Sequence, residues 1–318
     1  MRLQPIILGL FISWLLLTTA KDFSNENKIL LQDVFYPTDD ATIFQNGPTK
    51  NAGQSEYLTV RNDVGGYPPP NGDGWARDVL IKFDLSSIPS NYIIKDAKLK
   101  LYYCEWWDND PAGRTLSLYR VTSSWDEDTV TWENQPSYYN VETSSATVPL
   151  YTGKWMEWNV TNDVQGFVLK QLSNYGWRIR DEVPWGDVNI PIAYFYSKEY
   201  GSFTPYLEIK MEQDTNPPVV KIEKPIDAIY IFDRAILPFP FPFILGKITI
   251  EASAHDKLGV SEVEFYIDDV LKSADYDEPY EWLWDEKVSG IYTIKVMAYD
   301  LAGNAGFMEK EVAVFNLK

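Results

Sequence analysis

Apolar residues recur at every second position through much of this chain. In residues 77–84, Val79, Ile81 and Phe83 alternate with Leu80, Lys82 and Asp84; in residues 94–103, Ala97, Leu99, Leu101 and Tyr103 alternate with Lys98, Lys100 and Tyr102. A period of two marks a strand with one face on a core and the other toward solvent. Between these runs, Ser86, Ser87, Pro89, Ser90 and Asn91 supply turn chemistry, because proline fixes φ and short polar side chains bond the nearby backbone. Similar runs at 33–36, 39–44, 57–61, 115–121, 175–180, 192–197 and 205–210 predict further strands. One helix is predicted over residues 163–172, with Val164, Phe167, Val168 and Leu172 along one side. Residues 214–225 form a linker. Beyond it, alternating runs at 247–254, 260–268, 280–284 and 292–299, separated by Gly and Asp turns, predict a second all-β unit. Phe232, Asp233 and Arg234, with the phenylalanine- and proline-rich stretch at 238–243, form an insertion that is expected to be an apolar loop, packing on the neighbouring domain or exposing a contact patch.

Several motifs fall in order along the first half. R-x-x-L-I-K-F-D-L-S-S-I-P starts at Arg77, and W-x-E-x-x-V-T-W-x-N-x-P runs through Trp125, Glu127, Val130, Thr131, Trp132, Asn134 and Pro136. Asp40, Ile43, Asn51, Gly53, Leu58 and Val60 precede them, and Gly176, Ser197, Glu199, Pro205 and Leu207 follow. Taken together, they resemble the DNRLRE-type domain, also called carbohydrate-binding module family 96, over residues 33–212. One departure is Asn159, which stands where the family usually has Asp; it creates an N-glycosylation sequon with Thr161. Residues 213–318, with A-x-D-x-x-G-V-x-x-V-E-F-Y-I-D from Ala254, resemble the immunoglobulin-like repeats of microbial surface proteins. The resemblances imply an all-β chain, a jelly-roll-like β-sandwich followed by an immunoglobulin-like β-sandwich. They also imply a carbohydrate-binding role with an acidic, uronate-containing glycan as ligand. On that reading Arg77, Lys82, Arg114, Arg178 and Arg180 are the candidate carboxylate partners, since Arg pairs bidentately with a carboxylate. Trp75 and Trp107 are the candidate stacking rings. Trp75 closes a Gly- and Pro-rich stretch at 65–75 that cannot enter a sheet interior.

Composition narrows the choice of function. The chain has 318 residues, enough for two domains each with its own core, and its 12 Trp and 21 Tyr exclude a disordered polymer. A net charge of −18, spread along the chain, argues against nucleic acid, which needs clustered Lys and Arg. Residues 1–20 combine a basic start, an apolar run and small residues before Lys21, the pattern of a secretory signal peptide. The run is shorter than the roughly 20 residues that span a bilayer, so a mature chain without a transmembrane segment, secreted or at the cell surface, is expected. Cys104 and His255, each alone of its kind, exclude an intramolecular disulfide, a His-cluster metal site and a Ser-His-Asp triad. No cofactor is expected beyond a structural Ca²⁺, for which Asp108 and Asp110 are the candidate ligands by their hard oxygens. No phosphate-cradling loop or nucleophile elbow occurs, and the two predicted sandwiches leave no room for a catalytic domain. A non-catalytic glycan binder is the leading expectation. The alternatives are a structural surface-layer or adhesion protein with protein partners, or a polysaccharide-cleaving enzyme.

Overall fold

A computed structural model describes residues 30–62, 75–183 and 190–317. The expected signal at 1–20 and most of the stretch at 65–75 lie outside the described residues. The first domain contains β1 (Leu31–Phe35), β2 (Pro37–Phe44), β3 (Tyr57–Arg61), β4 (Arg77–Phe83), β5 (Tyr92–Trp107) and β6 (Thr115–Arg120). Then come β7 (Ser144–Thr147), β8 (Lys154–Asn159), helix α1 (Thr161–Val168), β9 (Trp177–Asp181), β10 (Ile192–Tyr196) and β11 (Tyr206–Gln213). The strands bond in the order β1-β11-β5-β10-β3-β4-β9-β6-β7, with β2 on β4 and β8 on β5. Every pairing among them is antiparallel. This curled sheet closes over one core, where Val79, Ile81 and Phe83 of β4 meet Leu99, Leu101 and Tyr103 of β5 and the indoles of Trp158 and Trp177. Each indole keeps a partner for its N–H, Trp158 donating to Leu116 O (3.0 Å) and Trp177 to Asp163 Oδ2 (2.9 Å).

Three features differ from the pattern along the chain. The outward face of β4 is not solvated: Leu80 is buried in a second, smaller core with Ala41, Ile43, Val121, Trp125 and Val130. Alternation reports which residues share a face, and a later segment can still cover the face it leaves outside. The helix ends earlier than its apolar stripe, at Val168, while Leu172 folds back on the core. There it lies 2.5 Å from where a Cβ on Gly166 would sit, so any larger residue at that helix position would have to displace the Leu172 side chain. The expected apolar loop before residue 243 is in part a β-hairpin.

That hairpin belongs to the second domain, whose strands are β12 (Val219–Lys224), β13 (Ala228–Ile231), β14 (Arg234–Pro238), β15 (Phe243–Leu245), β16 (Ile248–His255) and β17 (Val260–Ile267), followed by β18 (Val270–Asp275), β19 (Tyr280–Trp284), β20 (Val288–Asp300) and β21 (Ala305–Asn316). A three-stranded sheet, β12-β16-β19, packs on a seven-stranded one, β14-β13-β15-β21-β20-β17-β18. Ile250, Phe265, Trp284, Ile294 and Val296 fill the space between them, the arrangement of an immunoglobulin-like sandwich. Residue Asp214 joins the domains: its N–H donates to Asn91 O (2.8 Å) in the first, and its carbonyl accepts from Asn304 Nδ2 (3.3 Å) in the second. Among the described residues no helix is long and apolar enough to cross a membrane.

Candidate functional site

Because side chains alternate along each strand, the residues between the core positions of neighbouring strands line up on one outer surface. Here that surface is aromatic. Tyr57 of β3 stands opposite Tyr196 of β10 in register, with ring centroids 5.8 Å apart. Tyr196 stacks on Tyr200 at 3.6 Å and lies parallel to Tyr102 of β5 at 5.9 Å. Tyr102 stacks on Phe203 at 4.3 Å and meets Trp155 of β8 edge-on at 5.2 Å; Trp155 in turn meets Tyr206 of β11 at 4.8 Å. Tyr200 and Phe203 are delivered by the 3-10 turn Lys198–Tyr200, which Ser197 caps by accepting from Glu199 N (3.1 Å) and which Gly201 ends at φ +76°. Phe203 is 51% exposed and Tyr200 and Trp155 are exposed as well, so the outer rings of the tract are open to solvent. Offset and edge-on contacts suit the ring quadrupoles. The same crowding, with the Tyr200 hydrogen bond first and burial second, raises the ionisation of the Tyr196 phenol above its ordinary value.

Lys100 continues the surface on β5. It lies 5.5 Å from the Tyr206 ring centroid and pairs with Glu157 (3.0 Å) and Glu208 (3.0 Å); Lys98 adds a second cation on Glu157 (3.2 Å), which leaves this end of the tract balanced in charge. The opposite end is different. Past Tyr194, Arg61 pairs in register with Ile192, as does Trp107, and its guanidinium lies 4.8 Å from the Trp75 ring. Arg77 stands opposite Arg61 in the β3–β4 register. Both arginines have a buried Nε that meets no partner among the described residues. Burial first, and the neighbouring Arg77 second, lower the Arg61 ionisation from its usual value, while Asp108 at 3.5 Å opposes them.

The residues singled out in the sequence therefore divide. Arg77 and Trp75 meet Arg61, and Trp107, 62% exposed, lies across β10 from it, both being in register with Ile192. Arg114 and Arg178 are buried in ion pairs: Arg114 holds Asp181 through Nε (2.5 Å) and Nη2 (2.7 Å), and Arg178 holds Asp78 (2.5 Å) while facing the Tyr138 ring. Arg180 is half-buried and shares Asp78 (2.9 Å), with Glu182 at 2.7 Å. Lys82 pairs with Asp39 (3.1 Å) and donates to Trp125 O (3.1 Å), on the rim of a cleft of about 480 Å³. The rings of that cleft, Phe83 and Phe167, are turned into the core. Asp108 pairs with Arg61 and Asp110 accepts from Ala112 N (2.9 Å); the two are not in either of the carboxylate clusters found among the described residues. Asn159 is exposed at the end of β8, its Oδ1 accepting from Thr161 N (3.0 Å). Burial pushes the Cys104 thiol up to about 12, and it donates to Tyr194 O at 3.4 Å, which makes it an inert group.

Sequence reasoning missed Arg61 and the tyrosine tract. A signal for the tract was present as aromatic residues at the polar phase of several strands, but their union depends on which strands become neighbours. The motif residues, by contrast, build a support beside it. Asp40 N donates to Glu127 Oε1 (2.7 Å), Lys198 N to Asp40 Oδ2 (2.9 Å), and Lys198 Nζ bridges Glu127 (2.8 Å) and Glu199. Asn51 ties the Trp125–Val130 segment down through Glu127 O (2.7 Å) and Val130 O (2.9 Å). Burial raises the Asp40 carboxyl well above its ordinary value, with the Lys198 backbone N–H only partly opposing it, and burial raises Glu127 as well. Burial disfavours the Lys198 ammonium, but its bonds to Glu127 and Glu199 outweigh that and hold it charged.

An antiparallel β-domain that carries a connected surface of solvent-facing rings has the architecture of a binding module for extended ligands. The chain belongs to carbohydrate-binding module family 96, whose profile matches residues 32–211. Residues 243–296 match a bacterial Ig domain. No curated protein matches the chain. Among solved structures, fibronectin(III)-like modules of CbhA from Clostridium thermocellum are similar at 24% identity over 31% of this chain and 100% of theirs, with a TM-score of 0.25. Dimeric latent PorU from Porphyromonas gingivalis matches at 12% identity over 90% of this chain and 24% of its own (TM-score 0.24). A DUF4785 family protein from Legionella pneumophila matches at 10% identity over 93% of this chain and 68% of its own (TM-score 0.21). At these TM-scores the likenesses bear on neither fold nor function.

Proposed function

We propose that this is an exported, non-catalytic polysaccharide-binding protein. Its first domain takes a glycan chain along the aromatic tract, and its immunoglobulin-like domain serves as a spacer. The observation that carries the reading is the run of rings from Tyr206 through Trp155, Tyr102, Phe203 and Tyr196 to Tyr57. Aromatic rings offer a broad, rigid apolar surface at little entropic cost, which is what the C–H faces of pyranose rings can stack on. The Arg61–Arg77 end, with Trp75 and Trp107 beside it, supports an acidic, uronate-containing ligand, because a guanidinium pairs with a carboxylate while an indole stacks on its ring. Export is supported by the signal-like pattern of residues 1–20.

Affinity electrophoresis and calorimetry against a polyuronate and a neutral β-glucan test this. Tyr102→Ala and Trp155→Ala should each weaken binding by about tenfold or more, the cost of truncating a central aromatic anchor. Arg61→Lys should weaken polyuronate binding and leave a neutral glycan unaffected. Retardation by none of a panel of acidic and neutral polysaccharides at low salt would sink the proposal. A second reading, a protein-binding surface component, draws on β14, an edge strand exposed throughout, with Ile236 and Leu237 outward and Phe241 nearby. Self-association that disappears in Ile236→Lys/Leu237→Lys would favour it.

A further inference from the structure

Asp214, Asp256 and Asp300 come from three separate places in the sequence, yet their carboxylate oxygens lie within 4.8 Å of one another. Asp214 follows β11 in the linker, Asp256 follows β16, and Asp300 closes β20. Two of the three, Asp214 and Asp300, are each only 2% exposed. Among the described residues no Lys or Arg forms an ion pair with any of them. Backbone and amide donors already orient the group: Asp214 Oδ1 accepts from Asn216 N (3.1 Å), Asp256 Oδ1 from Leu258 N (2.7 Å), and Asp300 Oδ1 from Ala302 N and Asn304 N (both 2.8 Å). The second oxygen of Asp214, Oδ2, is buried and meets no donor among the described residues. Like charges crowded in a largely buried site, with one oxygen left bare, need a countercharge, and among the described residues no Lys or Arg pairs with them.

We propose that this cluster is a Ca²⁺ site that fastens the linker to the immunoglobulin-like domain. All three ligands are hard carboxylate oxygens with no His or Cys among them, which favours an alkaline-earth ion over zinc. Carboxylates from a linker, a loop and a strand end, with water completing the shell, suit the variable coordination of Ca²⁺ better than the tight octahedron of Mg²⁺. The site also explains its own position. Asp214 is bonded by its N–H to the first domain and by its carbonyl to the second, so an ion there would lock a residue that both domains hold.

The test uses the full chain, stripped with chelator and titrated with CaCl₂ or MgCl₂, read by calorimetry and by thermal unfolding. The expected result is a saturable rise in unfolding temperature with Ca²⁺, larger than with Mg²⁺. Asp256→Asn, at the half-buried rim of the cluster, should fold as wild type does and bind about 10-fold to 100-fold more weakly. Asp300→Asn, deeper in, should lose the response. No Ca²⁺ binding by wild type would overturn the proposal. So would binding that Asp256→Asn and Asp300→Asn both leave unchanged, since the ion would then sit elsewhere, and Glu199→Gln would locate it at the Asp40 cluster. The outcome is independent of glycan binding, which can fail or hold without moving this result.

Discussion

Two groups of three carboxylates, Asp40–Glu127–Glu199 in the first domain and Asp214–Asp256–Asp300 at the junction, share one chemistry and solve its electrostatic problem differently. In the first, Lys198 brings an ammonium into the cluster from the residue next to Glu199, and its backbone N–H donates to Asp40 Oδ2. In the second, no described cation arrives; bare oxygens do not distinguish the two, since Asp40 Oδ1, Glu199 Oε2 and Asp214 Oδ2 are all buried without a donor among the described residues. The contrast is one of countercharge: the first cluster carries its own ammonium, and the second has no described cation paired with it. It follows from general electrostatics: desolvating an ionised carboxylate is costly, and either a fixed partner or a bound ion must offset it.

The largest expected effect comes from making the first cluster resemble the second. Lys198→Met strips its cation and should cost about 3 kcal/mol of stability in urea unfolding, the low end for a broken buried pair because Lys198 is partly exposed. If that variant also becomes responsive to Ca²⁺, the two clusters differ by their cation alone. Next is the ligand effect at the junction: wild type at free Ca²⁺ of about 100 times Kd should gain about 2.7 kcal/mol over the stripped protein, a shift that Asp300→Asn abolishes. Gly53→Ala attacks the wall of the first cluster, since the added Cβ would lie 2.3 Å from Glu127 O, a backbone atom that cannot turn aside. Overpacking of this kind costs about 1–3 kcal/mol, and the loss should appear as a lower urea midpoint at unchanged slope.

Asp40→Asn is the smallest and the most discriminating change. Burial holds the Asp40 carboxyl well above its ordinary value in the folded chain, so the folded state keeps a proton that the unfolded state releases. That contribution to stability is complete below the ordinary carboxylate range and is lost as pH rises through the raised value. An amide carries no such penalty and can still accept from Lys198 N. The variant should therefore gain on wild type as pH increases toward neutrality, measured by thermal unfolding across that range. A variant that instead falls behind as pH rises would mean that the Asp40 charge is stabilising and that Lys198 more than balances the cluster.

Much of the fold could be read directly from residue order. Period-two alternation marked β4 and β5 and their core residues, because a strand's face is a local property. The turn residues after Phe83 and the ordered motifs around Trp125 and Ser197 marked the family for the same reason, each being local or fixed in spacing. What alternation could not report was cover: Leu80 read as outward and is buried, because the Val121–Val130 segment folds over it from elsewhere in the chain. Arginines were read by type alone. Whether a guanidinium is free depends on a distant carboxylate, as Asp78 for Arg178 and Asp181 for Arg114 demonstrate.

By itself, then, the sequence determined two successive all-β domains, their strands and cores, and membership of a glycan-binding family, all carried by short-range patterns. Tertiary structure alone decided which tyrosines share a surface, which arginines are sealed into ion pairs, and which aspartates meet at the junction. Each of those depends on strands or loops far apart in the chain becoming neighbours, and in each case the electrostatic or stacking partner lies 50 residues or more away along the chain for at least one contact, as with Tyr102 and Tyr196 or Asp78 and Arg178.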